Sequence, residues 1–466
     1  MKQYVGGGKL PVNSFNDYPM TWKPILIKSS NSLYISLANQ LEADIAKGVL
    51  LPGTKLPPQR ELADFLDINV STVSRAFKIC ANKGILSGTV GSGTFVAYDI
   101  NTNMFATPSQ NNVKLIQMGA LMPETLAQDE VAVLLQKMMI EPDFGIFFQY
   151  GYKKPLWQKE AAAKLITKAG YPTTADSILM ASGGQNAIAS IFAGLFQTGD
   201  RIGVDPLVYP GIKSAAKLFG IQLVPIHQEN GEISEEGIVS AFRNDGIKAI
   251  YVMPDFQNPT MHIMSDDCRD MIAHTAQKLG LLIIEDGIHS LLAAERKSAI
   301  AVRAPEHTIY ISSLSKTVIP ALRLSYIVTP KKYYTDLENA LYNINLSQSA
   351  LLVEIASRII VSDKLDTLLE TRRKGLQIRN KIVDEVLRGF QVHGSLESLS
   401  RWLILPPGIT GHQFEHMALE KGVYVYGSER FAIGKEVPIG AVRLGICAPD
   451  SLEELTTGLK ILKKLL

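Results

Sequence analysis

From Ser32 to Lys47 apolar side chains recur at helical spacing, at Leu33, Ile35, Leu37, Leu41 and Ile45. Gly48 and then Pro52-Gly53 end the run. A second short helix is predicted over Pro58 to Leu66, with proline where a first turn tolerates it. After a break at Asp67 to Asn69, a third helix runs from Val70 to Lys83 and stops at Gly84. Two strand-like stretches come next, Ile85 to Ser87 and Gly93 to Tyr98, around a glycine-rich turn from Gly88 to Gly93. Three helices and a β-hairpin are the plan of a winged helix-turn-helix. Residues 30–98 are therefore predicted as one small domain, preceded by an arm (1–29) whose Trp22 packs on that domain.

Asp99 to Asn112 is polar, aperiodic and rich in Asn, Thr, Ser and Pro, which predicts a linker over 99–114. Beyond it, over 115–466, short apolar strands alternate with amphipathic helices. The strands are Ser177 to Met180, Arg201 to Val204, Ala249 to Met253, Leu281 to Ile284, Thr308 to Ser312 and Leu324 to Val328. Ser265 to Leu279 is one of the helices between them. This alternation predicts an α/β fold, a mostly parallel sheet covered on both faces. From about Gly375 onward, strands at Ser400 to Leu405, Val423 to Tyr426 and Ala441 to Ile446 with a closing helix predict a smaller α+β lobe. The chain has no internal repeats.

Composition narrows the class. Of 466 residues, 46% are hydrophobic and 20% charged, and 47 Lys plus Arg against 45 Asp plus Glu leave a net charge of +2. Any basic surface must therefore be local. The three cysteines, Cys80, Cys268 and Cys447, lack CxxC spacing, which excludes a disulfide framework or a cysteine zinc site and favours a reduced cytosol. Met1 to Ser30 has no apolar core, so neither a signal peptide nor a membrane anchor is expected there. No run reaches the roughly 18 apolar residues of a spanning helix. A soluble, cytoplasmic protein is expected.

Three segments of the N-terminal domain stand in a telling order: Leu56-Pro57-Pro58-Gln59-Arg60-Glu61-Leu62-Ala63, Val73-Ser74-Arg75-Ala76-Phe77, and Gly91-Ser92-Gly93-Thr94-Phe95-Val96. Together they resemble the GntR family of winged-helix regulators, which implies binding to a double-stranded DNA operator. Arg60 can reach a phosphate or base edge, and the third helix offers Ser71, Thr72, Arg75 and Lys78 to the major groove. Gly91 and Gly93 let the wing approach the backbone without a Cβ clash. Taken singly, Arg60, Arg75 and Lys78 are equally explained as solvated helix faces; as a set before a wing they favour DNA. Where the family often has Ser-Arg before the recognition helix, this chain has Asn69-Val70. Asn69 can still cap the helix, but Val70 offers no cation.

Ser313-Leu314-Ser315-Lys316, with Pro320 and Arg323-Leu324-Ser325-Tyr326 behind it, resembles the lysine segment of fold-type I pyridoxal-phosphate enzymes, the aspartate-aminotransferase group. The resemblance implies pyridoxal 5'-phosphate as cofactor, held as an imine on Lys316. It also implies that Ser313, Ser315 and Arg323 grip the phosphate. In the same group an aspartate like Asp286, after Ile283-Ile284-Glu285, pairs with the pyridine nitrogen. Asn258, in Asn258-Pro259-Thr260, would donate to the phenolic oxygen across a cis Asn-Pro bond. Gly184 and Gln185, opening a helix after Ser182-Gly183, would bind phosphate through bare amides. Tyr209 would stack on the ring, Arg443 would hold an effector's carboxylate, and Tyr150 would reach the partner's phosphate. Each has a plain alternative: Asp286 as a strand-end cap, Tyr209 as a core aromatic, Gly183-Gly184 as a tight turn, Arg443 as a surface ion pair. Six features in family order outweigh them. Where relatives carry a tyrosine after the aspartate, this chain has Ile288 and His289, and His289 is expected to substitute as a donor. Thr260 is followed by Met261 where glycine is usual.

A winged helix fused to such a domain resembles the MocR subfamily. That implies a head-to-tail homodimer regulating transcription, with an amine, an amino acid or pyridoxal phosphate as effector. The competing class is a working aminotransferase that carries a DNA-binding domain, because Lys316, Asp286 and Arg443 are all present. A third is a DNA-binding dimer whose large domain only dimerises.

Overall fold

The computed structural model describes residues 20–25, 32–46, 49–50, 54–82, 85–89, 93–96, 115–149, 155–434 and 436–466. Tyr150, Gly91 and the linker 99–114 lie outside them. The chain forms two compact units, 1–109 with 432–438, and 110–431 with 439–466.

In the N-terminal unit, helices α1 (Leu33–Ala46), α2 (Gln59–Leu66) and α3 (Val70–Asn82) precede strands β1 (Leu86–Thr89) and β2 (Gly93–Val96). Leu37, Leu41, Leu62, Val73, Phe77 and Val96 share one core. Trp22 is buried in that core, and its indole Nε1 donates to Asp44 Oδ2 at 2.9 Å. Asp67 ends α2 in the left-handed region, and Asn69 Oδ1 accepts the Ser71 amide at 2.8 Å, capping α3 as expected. The hairpin ladder runs from Leu86↔Val96 to Thr89↔Gly93, so Gly88 lies in the ladder, not in the expected turn. Lys55 adds a bridge to Phe95 on the wing's outer side.

The larger unit holds a seven-stranded sheet. Its strands are β4 (Ile178–Ala181), β5 (Arg201–Val204), β6 (Gln222–Pro225), β9 (Ala249–Val252), β10 (Leu282–Asp286), β11 (Thr308–Ser313) and β12 (Ser325–Val328); β7 (Gln228–Glu229) and β8 (Glu232–Ile233) form a separate hairpin. The order is β4-β12-β11-β10-β9-β5-β6, parallel except that β12 runs against both neighbours. β4, β9, β10, β11 and β12 are buried along their whole length, which is why they read as unbroken apolar runs.

The smaller lobe packs strands β13 (Val392–His393), β14 (Ser400–Ile404), β16 (Tyr426–Gly427) and β17 (Ala441–Gly445) into one sheet. The single strand expected over Val423 to Tyr426 splits. β15 (Val423–Tyr424) pairs instead with β3 (Ile116–Gln117), so the first residues of the unit join the small lobe. The long helix Lys364–Val386 serves both cores: Leu365, Leu368 and Leu369 face the large one, Leu376 and Val383 the small one. Among the described residues no helix is long and apolar enough to cross a membrane.

Candidate functional site

Parallel strands of an α/β sheet open a crevice at their carboxyl ends, and the predicted cofactor residues gather there. Lys316 follows β11 on the loop begun by Ser313. Its Nζ donates to the Leu121 carbonyl at 2.6 Å. Burial, then the charges of Arg443 and Arg323, pull its amine down to about 8. A neutral amine is the nucleophilic form, so the pocket favours condensation with an aldehyde.

Ser313 departs from expectation. Its hydroxyl donates to the Leu324 carbonyl at 2.8 Å and accepts the Ser315 amide at 3.1 Å. That hydroxyl locks the lysine loop to β12 and has no donor left for a phosphate. Arg323, in the left-handed region at φ 46, brings its guanidinium beside Gly183; a Cβ there would lie 2.7 Å from Arg323 Nη2. Glycine is thus required where the arginine meets the start of helix Gly184–Leu195. First-turn amides of such a helix lack intrahelical partners and suit a phosphate. The Gln185 side chain is occupied: its Nε2 donates to the Gly211 carbonyl at 2.8 Å, and its Oε1 accepts the Tyr209 hydroxyl at 3.2 Å. Gln185 therefore braces the ring expected to stack on the cofactor.

Asp286 ends β10 and is buried. Tyr251 on the adjacent strand donates to its Oδ2 at 2.7 Å, and the Ile288 amide approaches Oδ1 at 3.3 Å. Burial raises this carboxyl to about 6 against the pull of those two donors. Among the described residues no cation pairs with it, which suits a protonated ring nitrogen. Tyr251 was not singled out from the sequence; no motif marks a residue that meets Asp286 only across a sheet register.

Arg443 on β17 is buried, not a surface ion pair. Its Nη1 donates to Asn258 Oδ1 at 2.6 Å and its Nη2 to the Gly119 carbonyl at 2.5 Å. The guanidinium lies 4.8 Å from the Phe431 ring centroid, and burial lowers it to about 10. Among the described residues it has no carboxylate partner, as a receptor for a ligand carboxylate requires. Because Asn258 spends its oxygen on Arg443, its amide nitrogen is left for the pocket. The Asn258-Pro259 bond is cis. Met261 takes φ 60, the conformation for which glycine is usual.

The donor role expected of His289 is not met. Its Nδ1 lies 3.0 Å from the Phe256 carbonyl, which can only accept, so Nδ1 carries the proton. Burial drops the ring to about 4, leaving it neutral. Its Nε2 is buried, has no partner among the described residues and is an acceptor.

In the N-terminal unit Arg60, Ser71, Arg75 and Lys78 are exposed and Thr72 is half-buried. Arg75 lies 5.9 Å from the Tyr34 ring centroid. Gly93 takes φ 113, with room beside it only for the Lys55 stem.

The fold and this pocket define a fold-type I aminotransferase-like domain carried behind a winged helix-turn-helix. Comparisons agree with both parts. Residues 118–460 match the aminotransferase class I and II family, and residues 33–96 match the gntR family of bacterial regulatory proteins. The uncharacterized HTH-type transcriptional regulator YdeF of Bacillus subtilis is 47% identical over 458 residues, covering 98% of this chain and 99% of its own. YdfD of the same organism is 25% identical over 91% of this chain and 94% of its own. Among solved structures, Pyrococcus horikoshii kynurenine aminotransferase superposes with TM-score 0.69 at 21% identity, covering 76% of this chain and 92% of that one; it supports the fold alone. The chain belongs to the family of HTH-type transcriptional regulators in which a GntR-type domain precedes an aminotransferase class I and II domain, the MocR arrangement. Pyridoxal phosphate is the cofactor of that domain class, and Lys316, Asp286, Tyr209, Asn258 and Arg323 fit it.

Proposed function

We propose that the chain is a cytoplasmic transcription regulator that binds operator DNA through residues 30–98. Its domain over 115–466 senses an amino compound, or pyridoxal phosphate itself, through exchange at the Lys316 amine. The observation that carries this reading is the Lys316 amine, which donates to the Leu121 carbonyl and shares its pocket with an Asp286 that meets no cation and an Arg443 that meets no carboxylate among the described residues. When bound, the cofactor supplies an aldehyde that Lys316 and an incoming amine can exchange. Asp286 would hold its ring nitrogen, Tyr209 its face, and Arg323 with the amides of Gly184 and Gln185 its phosphate. Arg443 would take the carboxylate of an amino-acid effector. A homodimer is supported by the apolar surface at Met139, Ile140 and Phe148, each more than half exposed, which a second copy would cover.

Absorbance titration of the purified chain with amines and amino acids, with and without operator DNA, tests the reading. Effector should alter salt-sensitive, sequence-specific binding in the wild type and not in Lys316→Ala. Steady turnover of an amino acid with a keto acid at about 1 s⁻¹ or faster would establish the chain as an aminotransferase instead.

A further inference from the structure

The loop after Asp286 sends consecutive side chains to different walls of the pocket. Ile288 lies on the phosphate side, where a Cβ built on Gly184 would stand 3.7 Å from its Cγ2. His289 lies against the other wall, its Nδ1 3.0 Å from the carbonyl of Phe256, two residues before Asn258. The imidazole is 1% exposed. A carbonyl only accepts, so Nδ1 holds the ring's proton and Nε2 keeps a lone pair. That Nε2 is buried and has no partner among the described residues. A buried acceptor without a donor is costly, and beside a binding pocket it marks the place of a donor that arrives with the ligand.

The order of groups around the pyridoxal ring identifies that donor. The ring nitrogen stands opposite the aldehyde carbon, and the phosphate arm and the ring hydroxyl flank the aldehyde on its two sides. Asp286 at the nitrogen and Lys316 at the aldehyde set the axis. Arg323, meeting Gly183 before the helix Gly184–Leu195, sets the phosphate side. The hydroxyl is left for the wall of Asn258 and His289. There the two side chains are complementary. Asn258 gives its Oδ1 to Arg443 at 2.6 Å and offers an amide N–H, whereas His289 offers a lone pair. A hydroxyl that keeps its proton satisfies both; a phenolate would set one lone pair against another.

Neighbouring charges hold the imidazole to this role. Burial, joined by Lys316 and Arg443, holds it at about 4 against the opposing pull of the Phe256 carbonyl and Asp255. The Asp255 carboxylate is itself engaged, by Arg269 at 2.6 Å and by the Ser290 hydroxyl.

We propose that His289 Nε2 accepts the cofactor's ring hydroxyl and keeps it protonated. The inference rests on the Lys316 reading above. A neutral hydroxyl gives the nitrogen joined to the cofactor no anionic neighbour, so that nitrogen holds a proton less firmly.

Nitrogen NMR of the chain grown with labelled histidine follows His289, assigned by its loss in His289→Gln. Added cofactor should move the Nε2 resonance toward that of a hydrogen-bonded acceptor while the proton stays on Nδ1. A proton on Nε2, or an Nε2 resonance that ignores the cofactor, overturns the proposal. Absorbance of the loaded protein reads the other end of the same bond, because the protonated hydroxyl absorbs in the near ultraviolet and the phenolate in the visible. His289→Asn keeps a donor for the Phe256 carbonyl and removes Nε2; His289→Gln puts an amide that donates in its place. In both, with melting to confirm folding, the visible-to-ultraviolet ratio should rise about fivefold. An unchanged ratio in the folded variants refutes the proposal. Borohydride trapping with peptide mapping separates it from the reading beneath: an adduct at Lys316 with an unmoved His289 refutes this inference alone, and no adduct refutes both.

Discussion

Lys316→Met removes an ammonium group that burial and two nearby guanidiniums hold at about 8, against an ordinary 10.5. The folded value lies below the unfolded one, so the unfolded chain binds the extra proton. The cost to the folded chain is full below pH 8, shrinks as pH rises from 8 to 10.5 and is gone above that. It amounts to about 3 kcal/mol at about pH 7 and about 1.4 kcal/mol at about pH 9.5. Methionine escapes the cost and forfeits the bond to the Leu121 carbonyl, worth about 1 kcal/mol. The net gain is about 2 kcal/mol at about pH 7 and close to zero at about pH 9.5, or about 4 °C falling to nothing in a unit of this size. Thermal unfolding of the two cofactor-free proteins across that pH range measures it, and added cofactor should leave the variant without the visible band. A variant that melts lower at neutral pH, or a gain that ignores pH, would refute the claim that the amine is held desolvated for reaction.

Arg75→Ala should weaken operator binding about tenfold in fluorescence anisotropy and leave the cofactor spectrum unchanged; loss of both would make Arg75 a structural residue. Gly211→Ala would place a Cβ 2.2 Å from the Tyr209 ring, so it should raise the cofactor dissociation constant about tenfold in absorbance titration. Unchanged affinity would remove Tyr209 from the site. Cofactor loading should free the Leu121 carbonyl from Lys316, so the nearby Leu126 amide, bonded to Val318 O at 3.3 Å, should exchange hydrogen about fivefold faster. Equal or slower exchange would show that the segment ignores the lysine.

What could be read from the chain was whatever local spacing determines. The buried strands β9 to β12 stood out because strands covered on both faces, the antiparallel β12 included, cannot alternate polar with apolar. Edge strand β6 was missed because Gln222 and Pro225 are exposed and its apolar run is two residues long. β3 and β15 are two residues each and carry no period at all. In the pocket, Lys316, Arg323, Asp286 and Arg443 were legible as charged side chains at motif spacings. Ser313 stands at the same kind of spacing, yet its hydroxyl turns back to Leu324, a choice of rotamer that spacing does not encode. The tautomer of His289 is decided by the Phe256 carbonyl, 33 residues away in sequence. Gly119, Leu121 and Glu124 act through backbone oxygens, which have no residue identity to read.

Those oxygens lie on one stretch, 118–124, that comes after the linker from the helix-turn-helix by chain connectivity. The Met118 carbonyl accepts the Gly445 amide at 2.6 Å, Gly119 accepts Arg443, Leu121 accepts Lys316 and Glu124 accepts Arg372. If the domain senses amino compounds at Lys316, a ligand carboxylate competes with Gly119 for Arg443, and exchange of an incoming amine for Lys316 releases the lysine amine to donate to Leu121 again. A hydrogen bond from a charged donor is worth about 1.5–3 kcal/mol, so losing the one from Arg443 to Gly119 matches the roughly 1–3 kcal/mol of a typical allosteric coupling. An amino acid frees Gly119 through its carboxylate while its amine restores the anchor at Leu121; a simple amine frees neither. A ligand shifts an equilibrium only by its differential affinity for the two states. Loosening of 118–124 therefore ranks amino acids above plain amines as effectors, and it does so without any new contact to the segment itself.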